Sequence, residues 1–342
     1  MVCVGAVAMA TVGGAPLAAG ASATTLKEAG SSLVYPLVAR WSHVYTTDQV
    51  SAAAGGSGAG ISAISTNGVD IGASDAPMNS GQYAGDQSHN PVEIPWALSA
   101  TDVVYNIPGV QTGLRLNATI MADIYTGKIT SWGSSAIVKL NPRLKKALKK
   151  APKITPVFRS DGSGDSYAFQ NFMFRGAPKA WTVTPTTSFG GTAGQGENGN
   201  YGVAGEVAKN AGAVGYVSAY YVLSQHGIHP AALENAAGRF VMANGASIVA
   251  AAKSDAKIPA QGSAFTSAGG VSIQYPSKKY KTAYPLATYT YAIVNKDGSH
   301  VSALQNFLDW AITTGQKYGA ALDFYPLPSS IVSQDKSLIS GL

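Results

Sequence analysis

The chain has 342 residues, enough for two domains of ordinary size and a substantial core. Its net charge of +6 accompanies a charged fraction of only 12%, against roughly 25% in an ordinary globular domain. The excess therefore reflects a shortage of both signs, which argues against a nucleic-acid-binding protein. A lone cysteine, Cys3, excludes a disulfide framework and a thiolate metal site.

Residues 1–23 form an uncharged run rich in Ala, Gly and Val that ends in Ala21-Ser22-Ala23, a small-residue cleavage pattern. The positive start of an export signal is missing, yet the pattern predicts a leader that takes Cys3 with it. Gly13, Gly14 and Pro16 interrupt the run, which argues against a transmembrane helix. An exported protein without a membrane anchor is expected.

From there short apolar runs alternate with helical patterns, the rhythm of an α/β fold. Leu33 to Tyr45 has apolar and aromatic residues at helical spacing, Gly68 to Ala73 reads as a short strand, and Trp96 to Asn106 as a longer one. Met121 to Tyr125 and Ser135 to Leu140 read as helices. Arg143, Lys145, Lys146, Lys149, Lys150 and Lys153 then crowd a helix-like insert. No aromatics interleave there, so it reads as a solvated helix face rather than a polyanion site. Ile154 to Phe158 is strand-like and Tyr167 to Phe174 helix-like, and the Gly/Ser/Thr-rich piece from Thr187 to Gly202 is a loop expected near a site. Gly215 to Val217 and Tyr289 to Val294 read as strands. Val301 to Tyr318 reads as one amphipathic helix with Leu304, Phe307, Leu308, Trp310 and Ala311 inward.

The most informative stretch is Arg159-Ser160-Asp161-Gly162-Ser163-Gly164-Asp165-Ser166, between that strand and that helix. Unpaired N–H groups and the positive end of the dipole favour an anion at a helix N-terminus. Arg159 supplies a planar fork of donors for a tetrahedral oxyanion, and Asp161 is close enough to hold it. Taken alone, a polar turn with a surface Arg explains the stretch as well. Three more segments are alike in kind: Gly30-Ser31-Ser32-Leu33, Gly55-Gly56-Ser57-Gly58-Ala59-Gly60, and Ser74-Asp75-Ala76-Pro77. A site made only of donors accepts sulfate and phosphate alike. An ionised Asp75 accepts only, so it pairs with a P–O–H and faces sulfate as a buried like charge. Asp75 could equally cap a helix ahead of Ala76-Pro77.

The wording of Ala29 to Trp41, Gly55 to Met78, Val103 to Gly109, Ile124 to Leu140, Arg159 to Ser166, Ala211 to Val217 and Leu304 to Pro328 resembles one family in the right order. It is that of the phosphate-binding proteins of bacterial phosphate ABC transporters, the PstS family. Phe307-Leu308-Asp309-Trp310-Ala311, Thr314-Gly315-Gln316-Lys317-Tyr318 and Pro326-Leu327-Pro328-Ser329-Ser330 are close to its C-terminal pattern. The resemblance implies an α/β, two-lobed periplasmic-binding-protein (type II) fold with two hinge crossings. Residues 24–106 plus 287–342 make one lobe and 107–286 the other. It implies inorganic phosphate in the cleft, held by Ser32, the amide of Leu33, Ser57, Asp75, Arg159, Ser163, Gly164 and Asp165, with Asp161 bracing Arg159. It further implies a monomer without cofactor, metal or catalysis, exported to the periplasm or the outer cell surface, whose partners are the permease subunits of a phosphate ABC transporter. Leu33 replaces a common Phe, and Asp165 stands where many members have Thr, which leaves the protonation state of the ligand open.

Two other readings compete. Arsenate has nearly the shape and protonation of phosphate. A dinucleotide-dependent enzyme is suggested by Gly56-Ser57-Gly58-Ala59-Gly60 with Asp75 downstream, but the spacing is G-x-G-x-G rather than G-x-G-x-x-G. A hydrolase built on Ser163 or Ser166 lacks a base, because His43, His89, His226, His229 and His300 are scattered. His226 and His229, beside Gly227, read as a loop rather than a metal pair.

Overall fold

The computed structural model describes residues 23–342, so the expected leader, apart from Ala23, lies outside the described residues. One curled sheet organises the chain. Its strands run in the order Gln49–Ala54, Thr25–Gly30, Ile71–Ser74, Ala287–Asn295, Pro91–Tyr105, Ala213–Ser218, Thr155–Arg159 and Gln195–Glu197. The first three are mutually parallel, and so are the last three. Between these trios lies an antiparallel pair, Ala287–Asn295 against Pro91–Tyr105.

The Pro91–Tyr105 strand is buried along its whole length because it serves both halves. Residues Pro91 to Ala100 pair with Ala287–Asn295, and from Thr101 onward the partner is Ala213–Ser218. The sequence pattern starts this strand only at Trp96, because Pro95 has no N–H for a ladder. Pairing continues past the proline because the register shifts opposite Thr290 and Tyr291, a bulge that leaves Trp96 between paired neighbours.

Helices cover the sheet with aromatic-rich faces. On one side Trp41, from the Tyr35–Val44 helix, meets the Trp96 ring edge-on at 5.5 Å and packs beside Phe307. On the other side Phe169, from the Gly164–Gly176 helix, stacks on Tyr216 at 4.5 Å. The expected helix from Val301 to Tyr318 is shorter in the structure. It ends at Ile312, and Thr314–Tyr318 forms a separate 3-10 turn. That break carries the Gly315 carbonyl to the Trp41 indole N–H, which donates to it over 2.9 Å.

Candidate functional site

In an α/β sheet, ligands collect at the carboxyl ends of parallel strands, where loops and helix N-termini meet. Here both parallel trios bring their carboxyl ends together in one buried, hydrogen-bonded cluster. Ser31 and Ser32 follow Thr25–Gly30, Ser57 follows Gln49–Ala54, and Asp75 follows Ile71–Ser74. From the other trio come Arg159 and the Ser163–Asp165 helix start, Asn200 after Gln195–Glu197, and Ser218. All of these residues are buried.

Asp75 does not cap a helix. The next helix, Ser80–Asp86, is capped by Asn79, whose side chain accepts from the Gln82 amide while Gln82 reaches back. The Asp75 carboxylate instead accepts from Ser31 Oγ at 2.6 and 2.5 Å and from Ser57 Oγ at 3.2 Å. Ser31 Oγ in turn accepts from the amides of Leu33 and Val34, at 3.0 and 3.2 Å. Ser57 Oγ accepts from the Gly164 amide at 3.0 Å, a bond that crosses from one trio to the other. Gly164 must be glycine, since a Cβ there would collide with Asp75.

Arg159 is 1% exposed, and each of its three nitrogens donates one hydrogen bond to a carboxylate, which leaves one N–H on Nη1 and one on Nη2. Nε donates to Asp161 Oδ1 at 2.7 Å and Nη2 to Asp161 Oδ2, while Nη1 donates to Asp165 Oδ2 at 3.1 Å. Asp161 also accepts from the Gly199 amide at 3.0 Å. Asp165 accepts from Thr101 Oγ1 at 2.7 Å and from Asn200 Nδ2 at 2.8 Å. Asn200 Nδ2 also donates to Ser32 Oγ at 3.0 Å, and its Oδ1 accepts from the Ser218 amide at 2.8 Å. The helix itself starts at Ser163, whose hydroxyl accepts from the Asp165 amide at 3.1 Å.

The charges follow from this geometry. Partial burial pushes Asp161 up, but the hydrogen bond and charge of Arg159 outweigh it and hold the carboxyl below its ordinary value. Burial pushes Asp75 up to about 7, helped by the nearby charge of Asp165 and opposed by the Ser31 and Ser57 hydroxyls and by Arg159. Asp165 is raised by burial too, against the pull of Arg159, Thr101 and Asn200. One cation thus faces three carboxyls, two of which hold protons more readily than ordinary aspartates. Such a pocket combines hydroxyl and helix-end donors with acceptors for ligand protons, which suits a compact oxyanion that carries hydrogen.

All of the sequence-predicted residues (Ser32, Leu33, Ser57, Asp75, Arg159, Asp161, Ser163, Gly164 and Asp165) fall in this one hydrogen-bonded cluster. Three members carry no mark in the sequence, Thr101, Asn200 and Tyr216, whose hydroxyl accepts from the Arg159 amide at 3.1 Å, while Ser31 stands in a segment singled out there without being named as a ligand. The Thr187–Gly202 stretch does lie at the site, through the Thr187 carbonyl, Gly199 and Asn200, but it is not all loop, since it holds the Gln195–Glu197 strand and the start of the Gly199–Lys209 helix. The glycine loop at Gly56–Gly60 is committed elsewhere than to a pyrophosphate, because the Gly58 amide donates to the Gly162 carbonyl at 2.9 Å.

A family model described as a PBP superfamily domain matches residues 16–314. The phosphate-binding protein PstS of Haemophilus influenzae is 32% identical over 326 residues, covering 93% of either chain. Its namesake from Pasteurella multocida is 32% identical over 321 residues, covering 91% of this chain and 89% of its own. Among solved structures, the phosphate-binding protein of Stenotrophomonas maltophilia superposes with a TM-score of 0.69 at 20% identity, over 92% of this chain and 94% of that one. A phosphate-bound putative ABC transporter substrate-binding protein from Clostridium perfringens gives 0.62 at 19% identity, over 89% of this chain and 100% of that one. These structures share the fold, and the curated relatives share sequence across nearly their whole length. The chain belongs to the PstS family of the PBP superfamily.

Proposed function

We propose that this chain captures inorganic phosphate outside the cytoplasm and hands it to the permease subunits of an ABC transporter. The observation that carries the reading is the meeting of a fully buried, doubly braced Arg159 with the carboxylate of Asp75 across the Ser163–Gly164 helix start. The proposed ligands are Ser32, the Leu33 amide, Ser57, Asp75, Arg159, Ser163, Gly164 and Asp165. Arg159 and the helix end attract the anion, while Asp75 takes a ligand proton and rejects sulfate. Family membership supports this, since the curated relatives are named phosphate-binding proteins.

The chain acts as a binding protein rather than an enzyme, with residues 24–106 plus 287–342 as one lobe and 107–286 as the other. The second boundary is supported by the Thr101 amide bond to the Leu286 carbonyl at 3.1 Å, while the strand of the first changes partner already between Ala100 and Thr101, a few residues ahead of the proposed crossing. No helix among the described residues is long and apolar enough to cross a membrane. Equilibrium binding of radiolabelled phosphate, with sulfate, arsenate and NAD as competitors, tests the whole reading. Phosphate binding that sulfate cannot displace supports it; NAD binding, or sulfate competing on equal terms, rejects it.

A further inference from the structure

The positive charge of this protein is not spread over it. Between Ile124 and Phe158 there are eight cations and no carboxylate: Lys128, Lys139, Arg143, Lys145, Lys146, Lys149, Lys150 and Lys153. The rest of the chain has sixteen basic and eighteen acidic residues, a net of −2, so this segment alone makes the protein basic. All eight side chains are exposed. Lys128 lies 3.7 Å from Asp123, and the other seven pair with no carboxylate among the described residues.

The segment is a built surface rather than a loose tail. Trp132, Ile137 and Leu148 anchor it in the core, and the Trp132 indole donates to the Gly212 carbonyl at 3.0 Å. Ser131 bridges to Lys153, and the Ile154 amide donates to the Thr130 carbonyl at 3.0 Å. Gly133 lies against the Lys149 backbone. Asn141 fixes the turn by bonding both the amide and the carbonyl of Arg115, each at 2.9 Å. A groove of about 600 Å³ opens there between Arg115 and Arg143.

Lys139, Lys149 and Lys150 suit the last turns of their helices, but the charges are not placed for the fold as a whole. Lys145 and Lys146 open the Lys145–Lys150 helix, where the dipole disfavours cations and no acid stands in the first turn. Lys145 with Lys149, and Lys146 with Lys150, are like-charge pairs four residues apart, each costing a few tenths of a kcal/mol. Nor do they serve the cleft. Lys153 lies before the start of the Thr155–Arg159 strand and Arg159 at its far end, about 20 Å away at ~3.3 Å per residue. That is well beyond the ~8 Å screening length of physiological salt.

We infer that this face docks a linear, base-free polyanion of the polyphosphate type. Lysines act as point charges for phosphate and need no fixed geometry. A bilayer calls for exposed apolar anchors, but the large exposed apolar side chains among the described residues, Phe174, Val183, Tyr201 and Leu223, all lie outside the segment. Nucleic acid calls for exposed stacking rings, and the two rings between Ile124 and Phe158, Tyr125 and Trp132, are both fully buried.

The test measures binding of long-chain inorganic polyphosphate across a salt series. The intact protein binds, and a variant with Lys145→Gln, Lys146→Gln, Lys149→Gln and Lys150→Gln binds at least about tenfold more weakly. Its log–log salt slope is smaller by roughly 3, four contacts at about 0.7 each. Arg159→Ala keeps polyphosphate binding whatever it does to phosphate, so this inference stands or falls apart from the cleft. A control variant with Lys253, Lys257, Lys278 and Lys279 changed to Gln removes the same charge elsewhere and keeps binding. Equal loss in that control, loss in Arg159→Ala, no loss in the quadruple variant, or tighter binding to phosphatidylglycerol vesicles or single-stranded DNA each overturns it. Far-UV circular dichroism of each variant confirms that the fold is retained.

Discussion

Asp165 sits on the one edge of the Arg159 guanidinium that Asp161 leaves open, with Oδ2 3.1 Å from Nη1. The arginine is therefore fixed in the plane, from two sides, before any ligand arrives. Fixing it in advance removes the side-chain entropy that a free arginine loses on binding.

Arg159→Ala is expected to cripple phosphate binding. Removing one member of a buried charged set costs roughly 2–5 kcal/mol, a loss of about 30-fold to several thousand-fold in affinity. Asp161 and Asp165 lose their partner as well, so the melting temperature drops while the circular dichroism spectrum keeps its α/β form. Isothermal titration of the variant checks this, and near-normal affinity would place the ligand elsewhere.

Asp165 also sets the ligand charge. Asp161 already matches the charge of Arg159, so whatever charge Asp75 and Asp165 carry is left over, and a dianion meets more repulsion there than a monoanion. Singly charged H2PO4⁻ is thus the preferred form, and wild-type affinity at mildly acidic pH equals or exceeds that at neutral pH. Asp165→Thr removes one negative charge and shifts the optimum upward. Titrations between pH 5 and 8.5 check both statements; a wild-type affinity that falls steadily on acidification, with the variant alike, rejects them.

If the two parts of the chain close on the anion, phosphate makes the protein more compact and raises its melting temperature in proportion to the logarithm of excess ligand. Small-angle scattering with and without phosphate reads the first effect and thermal denaturation the second. Identical scattering curves count against closure.

The parts of this site that a sequence displays are those with local signatures. Arg159, Asp161 and Ser163–Asp165 share one strand-to-helix turn, and Ser57 opens a glycine-flagged helix. Thr101 and Asn200 carry no such mark. Thr101 is one buried residue in a strand of fifteen, and it meets Asp165 only because that strand changes partner there. Asn200 lies in the first turn of the Gly199–Lys209 helix, in a stretch whose composition announced proximity but not the residue. Ser31 and Ser32 are adjacent hydroxyls, and only the fold decides that Ser31 serves Asp75 while Ser32 meets Asn200. The strand at Pro95 and the helix end at Thr313 were misread for a related reason: a bulge and a tryptophan hydrogen bond are tertiary facts.

Asn200 ties the parts together, donating to Ser32 on one side and to Asp165 on its own. Asn200→Ala leaves Asp165 short of a donor and the buried Ser218 amide without its acceptor. Each unsatisfied group costs about 1–3 kcal/mol, so the expected loss in phosphate affinity is roughly tenfold or more, with a lower melting temperature. Titration calorimetry on the variant reads the first. Asn200→Asp restores the acceptor for Ser218 but adds a charge beside Asp165, so it should recover stability without recovering affinity. Equal affinity in all three proteins removes Asn200 from the site.

The buried acids away from the site predict how stability depends on pH. Burial raises Glu28 and Glu93 to about 8, Asp102 to about 7 and Asp335 to about 9. Each binds its proton more tightly in the folded than in the unfolded chain, where ordinary values near 4 apply. Their contribution is therefore fully present below about pH 4 and is lost as pH rises towards the folded values. The cost reaches about 1.4 kcal/mol for each pH unit between the two. The melting temperature should accordingly be higher at pH 5 than at pH 8. Asp335, on the Ser329–Ser340 helix, isolates the effect, because both of its oxygens are buried without a hydrogen-bond partner among the described residues. Asp335→Asn keeps the shape and removes the titration, so its melting temperature should fall less between pH 5 and pH 8 than that of the wild type. Thermal denaturation of both proteins at the two pH values decides it, and parallel losses would show that Asp335 is ionised in the folded protein at neutral pH.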